Sequence, residues 1–485
     1  MILPVKLRPI IFVNGLVLSK LALFMYIPAA VAFFTKTPGV VNFIQAIVIT
    51  HLFSFLLLRI GKMTQSRMKA REMFLLTSSV WVICCAFGAL PIMLLGHTSY
   101  VDAYFETMSG LTTTGSTVLS GLDKLPPALL LWRSLLQWLG GIGFIVLAVA
   151  ILPFLNVGGM RLFQTESSDW SEKSAPRTKY VAANILAVYS TLSILCAIGY
   201  RLSGMSWFDA INHAMTTLST GGYSTSDQSM AHFSKIAHWN GILFMFLGGL
   251  PFLLFVQALR QKKLSQLTHD AQVRGFLLII LIIGAIMSTW LWQHSALHFT
   301  DALRISLFNI LSIITTTGYG LTDFSQWGHF TTTLFIFLML IGACSGSTAG
   351  GLKIFRLQIS GTLFHKQIRQ LLYPRGIFPQ RYNDRPVSDE IIRSVVAFTV
   401  AYFLTIIVLS AALSFLGSGP ITAISGAITA VANVGPGIGS VIGPSSNFAS
   451  LSDMAKWFLS LGMLMGRLEI LTVAVLFFPA YWRDI

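Results

Sequence analysis

Long apolar runs alternate with short polar ones along almost the whole of this 485-residue chain. Runs of the ~20 residues needed to cross a hydrocarbon core lie near 11–34, 38–60, 73–96, 128–153, 180–201, 235–259, 275–293, 329–341 with its continuation, 391–416 and 455–480. They predict ten membrane spans. Between spans sit four apolar segments too short to cross, and each ends in a small polar run closed by glycine. The runs are Thr112-Thr113-Thr114-Gly115, Ser219-Thr220-Gly221-Gly222, Thr315-Thr316-Thr317-Gly318 and Ala432-Asn433-Val434-Gly435. Their closing glycines stand 107, 96 and 117 positions apart, the self-similarity of a chain assembled from repeated units.

The repeat extends into the short segments. Six positions before the closing glycines are Ser109, Thr216, Ser312 and Thr429, and ten before are Phe105, Asn212, Phe308 and Ser425. The first three segments open with Asp102, Asp209 and Asp301 and the fourth with Gly419-Pro420; the third is four residues longer than the first two, about one helical turn. Aspartate caps the N–H groups of a helix start and proline is tolerated in a first turn. Each segment is therefore expected to be a half-helix that starts at the outer surface and ends midway, its negative carbonyl end attracting cations. The run that follows must be irregular backbone, tolerated at that depth only where it lines a cavity or is buried in protein. Glycine supplies positive-φ turns that let successive carbonyls face one axis, and rings of carbonyls can replace an ion's hydration shell. All residues of the four runs are thus candidate ion ligands. The hydroxyls of Thr112, Ser219 and Thr315 add oxygens at the inner end, where Ala432 breaks the symmetry.

Composition agrees with the membrane reading. Hydrophobic residues make up 54% and charged residues 11%, with a mean hydropathy of +0.72, whereas soluble domains carry about 25% charged residues. With the N-terminus inside, 24 of the 33 Lys and Arg fall in cytoplasmic segments, mainly 59–71, 161–179, 260–274 and 353–393. That bias places both termini in the cytoplasm, and the formal charge of +15 then needs no nucleic-acid partner. Lys6 and Arg8 before an apolar run containing Ala30-Val31-Ala32 also match a cleaved signal, but the run is long for one. Cys84, Cys85, Cys196 and Cys344 lie in apolar segments without metal-ligand spacing and read as packing residues.

Two features interrupt otherwise apolar spans. The run from Gly342 to Gly351 holds Gly342, Gly346, Gly350 and Gly351 together with Ser345, Ser347 and Thr348. Such a run breaks a helix, and the freed backbone must face protein or water. Arg467 and Glu469 sit mid-span, where charge is expensive and usually paired or turned toward water. Two residues apart on a helix they do not face each other, so each needs a partner elsewhere.

These residues resemble the Trk/Ktr/HKT superfamily of potassium transporters, closest to the membrane subunit of the bacterial Trk branch. Thr317-Gly318-Tyr319-Gly320, Gly221-Gly222-Tyr223-Ser224 and the fourfold glycine set carry the resemblance. It implies an all-α membrane protein: an extra helix pair (1–72) and four helix, pore-loop, helix repeats (73–160, 161–260, 261–388 and 389–485) around one pore. Glycine at the head of each loop accompanies potassium permeation in that family, and Gly115, Gly222, Gly318 and Gly435 fit. Asn433-Val434-Gly435-Pro436 departs most. The resemblance also implies that the 342–351 loop obstructs the pore and moves to gate it, and that Arg467 helps hold the pore shut. It further implies a homodimer in the bacterial inner membrane and a cytosolic nucleotide-binding regulatory ring. The chain has no phosphate-binding glycine loop of its own, no cofactor is expected, and potassium is cargo. Two other classes account for parts of the sequence. In an enzyme, Ser345 or Ser347 would be a nucleophile, which needs a base within reach that no spacing supplies. An ion-coupled carrier with broken helices usually shows a twofold repeat, and this one is fourfold.

Overall fold

In lipid each spanning segment must satisfy its own backbone hydrogen bonds, and the apolar runs accordingly fold as helices. The computed structural model describes residues 5–61, 68–150, 175–263, 265–383 and 385–483. Helices α1 (Leu7–Thr35) and α2 (Val40–Ile60) form an N-terminal pair. The order long helix, short helix, second helix then recurs. It begins with α3 (Ala70–Gly96), α4 (Tyr100–Leu111) and α5 (Pro127–Ala150), followed by α6 (Ala175–Leu202), α7 (Trp207–Leu218), α8 (Lys235–Gly248) and α9 (Phe252–Gln261). After the five-residue α10 (Ser265–His269) come α11 (Ala271–His294), α12 (Phe299–Ile314), α13 (His329–Leu340) and α14 (Ile354–Leu372). A two-residue hairpin, β1 (Arg381–Tyr382) against β2 (Arg385–Pro386), leads to α15 (Asp389–Phe415), α16 (Pro420–Ala432), α17 (Asp453–Arg467) and α18 (Ile470–Ala474).

The ten predicted spans do not all form single straight helices. Among the described residues seven helices are long and apolar enough to cross a membrane, and two further pairs are bent. The α8–α9 pair turns by 87° at Gly249-Leu250-Pro251, where proline removes a backbone donor and sets φ. The last span turns by 117° beside Glu469, whose φ is +61°. Arg467 and Glu469 therefore do not share one helix, as the sequence alone suggests: the first ends α17 and the second precedes α18. The remaining run, from 329, stops after Leu340 and resumes at Ile354. The end of the 128–153 run, the 160/161 boundary and the basic residues of 62–67 and 161–174 lie outside the described residues.

Helix starts differ in one respect from expectation. Asp102 and Asp209 sit third in their helices, and Ser99 and Ser206 are the caps, accepting from the Asp102 and Asp209 N–H groups at 3.1 and 3.0 Å. A serine hydroxyl on extended backbone reaches that amide, which leaves the acid in the positive first turn. Pro420 opens α16 as expected. The short helices pack in a cycle: α7 against α5, α12 against α8, α16 against α13 and α4 against α17. Ion pairs bind two of these contacts, Asp102 to Lys456 at 2.6 Å and Asp301 to Lys235 at 2.9 Å. Outward, α2, α6, α11 and α15 show exposed Leu52, Ile194, Leu278 and Ile407, an apolar surface of the extent that marks a membrane-facing patch.

Candidate functional site

The four glycine-ended runs follow the C-termini of α4, α7, α12 and α16 and share one backbone path. The second residue of each run lies in the left-handed region, with φ of +53° at Thr113, +53° at Thr220, +56° at Thr316 and +56° at Asn433. The closing glycines follow at +88°, +74°, +78° and +111°. Positive φ at the glycines was expected; at the threonines it was not. A β-branched residue there is an outlier costing on the order of 1–3 kcal/mol, and it persists only where its surroundings hold it.

Those surroundings are the carbonyls of the residues six positions before each closing glycine. The third residue of each run donates its N–H back to them: Thr114 to Ser109 at 2.8 Å, Gly221 to Thr216 at 2.9 Å, Thr317 to Ser312 at 2.8 Å and Val434 to Thr429 at 3.0 Å. Gly222 and Gly318 donate to the same Thr216 and Ser312 carbonyls, while Gly435 donates to the Thr429 hydroxyl. In a trans peptide the carbonyl opposes the N–H, so the carbonyls of the second and third residues turn away from their own helix. Among the described residues none of the carbonyls of Thr113, Thr114, Thr220, Thr316, Thr317, Asn433 and Val434 accepts a hydrogen bond, whereas Gly221 O accepts from Gln137 at 2.6 Å. Buried carbonyls without partners are uncommon.

The loops meet head to tail. A Cβ added at Gly115 would lie 2.2 Å from the Gly221 oxygen, at Gly222 1.8 Å from that of Thr317, at Gly318 2.1 Å from that of Val434, and at Gly435 2.8 Å from that of Thr114. Every glycine thus faces the third residue of the next loop, and the fourth returns to the first. Neighbours are tied from behind. Tyr319 reaches the Thr216 hydroxyl at 2.6 Å, Ser116 donates to the Gly435 carbonyl at 2.6 Å, and Asn433 donates to the Thr114 hydroxyl at 2.9 Å and the Met463 carbonyl at 3.0 Å. The Thr112 and Thr315 hydroxyls donate to Met108 and Leu311 carbonyls at 2.6 and 2.5 Å and contact Thr114 and Thr317 hydroxyls at 2.8 Å. Ser219 bonds its Thr216 carbonyl at 3.3 Å and Ala432 is fully buried.

The break after Leu340 is packed against this ring. Gly342 donates to the Leu352 carbonyl at 2.9 Å, closing the neck of the loop, and the Gly346 carbonyl accepts from Phe252 at 3.0 Å. Thr348 donates to the Leu218 carbonyl at 2.9 Å, and Gly350 N–H donates to the Thr316 hydroxyl at 2.7 Å. A Cβ on Gly350 would stand 2.3 Å from the Ala432 oxygen. Gly346 and Gly351 take positive φ, +78° and +66°. Residues from Ala343 to Ser345 and Ser347 to Ala349 are at most 1% exposed, so the irregular backbone is enclosed by protein, as lipid demands.

Arg467 and Glu469 find different partners. Glu469 pairs with Arg356 at 2.5 Å. Arg467 donates to the Thr348 carbonyl of the loop at 2.7 Å, and its guanidinium lies 4.2 Å from the centre of the Phe144 ring. Lys353 adds a second cation, its ammonium donating to the Ala349 carbonyl. Lys353 and Arg356 are each 2% exposed, so these two leave the basic cytoplasmic patch expected for 353–393 and belong to the protein interior. Nothing in their spacing signalled that.

A family model described as cation transport protein, TrkH, matches residues 39–483. The chain belongs to the TrkH family. It is 46% identical over 479 residues to the Trk system potassium uptake protein TrkI of Halomonas elongata, covering 98% of this chain and 97% of the relative. Against TrkH of Escherichia coli identity is 33%, with 98% and 99% covered. The crystal structure of the potassium transporter TrkH from Vibrio parahaemolyticus superposes with a TM-score of 0.91 at 32% identity, over 99% of this chain and all of that one. The TrkH family is one of transporters, which answers the enzyme alternative raised by Ser345 and Ser347; here the Ser347 hydroxyl is bound to the Cys344 carbonyl at 2.6 Å.

Proposed function

We propose that this chain is the pore-forming subunit of a potassium-uptake system in a bacterial inner membrane, with both termini cytoplasmic. The closed ring of four glycine-ended loops, each with carbonyls turned from its own helix, supports reading them as the selectivity filter. Oxygens so disposed replace the hydration shell of a monovalent cation, and the relatives, potassium uptake proteins by name, point to potassium. The 342–351 loop is the gate: it fills the space against the Leu218, Thr316 and Ala432 ends of three filter loops and is held by Arg467. Arg467 places positive charge on the ion's path and so opposes cation passage. The protein works as a homodimer, and a cytosolic nucleotide-binding ring docks on the basic surface that includes Lys366, Arg369 and Arg375. It needs no cofactor.

Gly115→Ser and Gly318→Ser test the filter. Each adds a side chain where even a Cβ meets a neighbouring carbonyl at 2.2 or 2.1 Å. The expected result is a potassium-over-sodium permeability ratio lowered roughly tenfold, equal to ~1.4 kcal/mol of discrimination. Wild-type ratios in both variants would refute the assignment.

A further inference from the structure

Nine positions before the closing glycines, the short helices carry Glu106, His213, Asn309 and Gly426. The first three share a task. Each bonds the outer arm of chain leaving its own loop. Glu106 accepts from the Thr117 hydroxyl at 3.0 Å and the Val118 N–H at 2.9 Å. A His213 ring nitrogen lies 2.9 Å from the Ser224 hydroxyl, and Asn309 donates to the Thr322 hydroxyl at 3.1 Å. In the fourth repeat, where no side chain exists at this position, the adjacent Ser425 hydroxyl accepts from Ile438 N–H at 3.0 Å.

Among these ties only the first is ionic, and its arginine partner extends it to the second loop. Arg133 of α5 donates Nε to Glu106 at 2.8 Å, with both side chains at most 1% exposed. Its Nη2 reaches the Thr117 hydroxyl at 3.2 Å and its Nη1 the Ser224 carbonyl at 3.1 Å, while the guanidinium covers the Tyr223 ring at 4.1 Å. Tyr223 OH returns to the Glu106 carbonyl at 2.7 Å. The network therefore joins the arm after Gly115 to the arm after Gly222. A buried ion pair adds little net stability, because desolvation consumes the Coulomb gain; its fixed, fully bonded geometry is what it retains.

We propose that Glu106 and Arg133 are positioning residues for cation selectivity, holding the first and second loops at a set spacing from behind. The proposal rests on the reading of the loops as the filter. Arg133→Met alone strands a buried carboxylate, so the decisive variant is the double one, Glu106→Gln with Arg133→Met, which removes both charges. The full-length proteins, reconstituted in proteoliposomes, are compared for potassium and sodium flux and for melting temperature. The double variant is expected to keep potassium flux and a near-wild-type melting temperature while its potassium-to-sodium ratio falls about tenfold. Lys456→Gln, which cuts the outer pair to Asp102 on the same α4, is expected to keep the ratio. A wild-type ratio in the double variant, with the ratio lost in Gly115→Ser, would overturn the positioning role and leave the filter standing. Wild-type ratios in both Gly115→Ser and Gly318→Ser would remove the filter and this proposal together. An equal loss in Lys456→Gln would also overturn the proposal, because any loosening of α4 would then suffice.

Discussion

Arg467 and Glu469, two positions apart, divide the work of buried charge. Glu469 neutralises Arg356, and Arg467 meets the Thr348 carbonyl of the loop and an aromatic face. Because Arg467 holds the loop through Thr348, Arg467→Ala should raise basal cation flux, measured as rubidium uptake into proteoliposomes; an unchanged closed state would leave this side chain a packing role. Arg356→Met should instead act on stability, since it strands a buried carboxylate. A loss of roughly 3–5 kcal/mol is expected, read as a lowered melting temperature; none would mean that Glu469 finds another partner. Spacing made both charges visible and left their partners open, because the partners come from distant turns of chain, α14 and the 342–351 loop. The left-handed threonines were equally hidden. Glycine advertises positive φ, whereas Thr113, Thr220 and Thr316 are driven there by amides that must return to Ser109, Thr216 and Ser312.

At the scale of elements, hydropathy located the helices and overstated their continuity. A window of apolar residues is blind to direction, and α8–α9 and α17–α18 remain apolar through bends of 87° and 117°. The local signals were present: Gly249-Leu250-Pro251 in the first, and in the second a charged pair that a straight helix would leave unsatisfied. By contrast, the break at 342–351 was legible from its glycines and hydroxyls alone, and the loop lies buried where irregular backbone must. The Gly342 to Leu352 hydrogen bond closes the loop at its base, so a shortened loop rejoined at that neck removes the Thr348 and Gly350 contacts without cutting the flanking helices. Basal flux is expected to rise in that deletion. A deletion as closed as the parent would show that the pore is shut elsewhere.

Across the whole molecule, the fourfold spacing of glycines becomes a closed cycle. Each short helix leans on the second helix of the preceding set, and each closing glycine faces the next loop until Gly435 meets Thr114. The fourth loop, the most divergent in sequence, keeps the shared path with Asn433 at φ +56° and Gly435 at +111°. Asparagine tolerates the left-handed region, and its amide ties the loop to Thr114, so chemistry differs there while backbone does not. Under the proposed function the ring conducts down the gradient of its own ion, whereas a coupled carrier responds to a second gradient. The most direct test is the reversal potential of the purified protein in proteoliposomes, with potassium, sodium and proton gradients imposed in turn. The expected potential follows the potassium gradient alone. A potential that shifts with the sodium or proton gradient would contradict the proposed function.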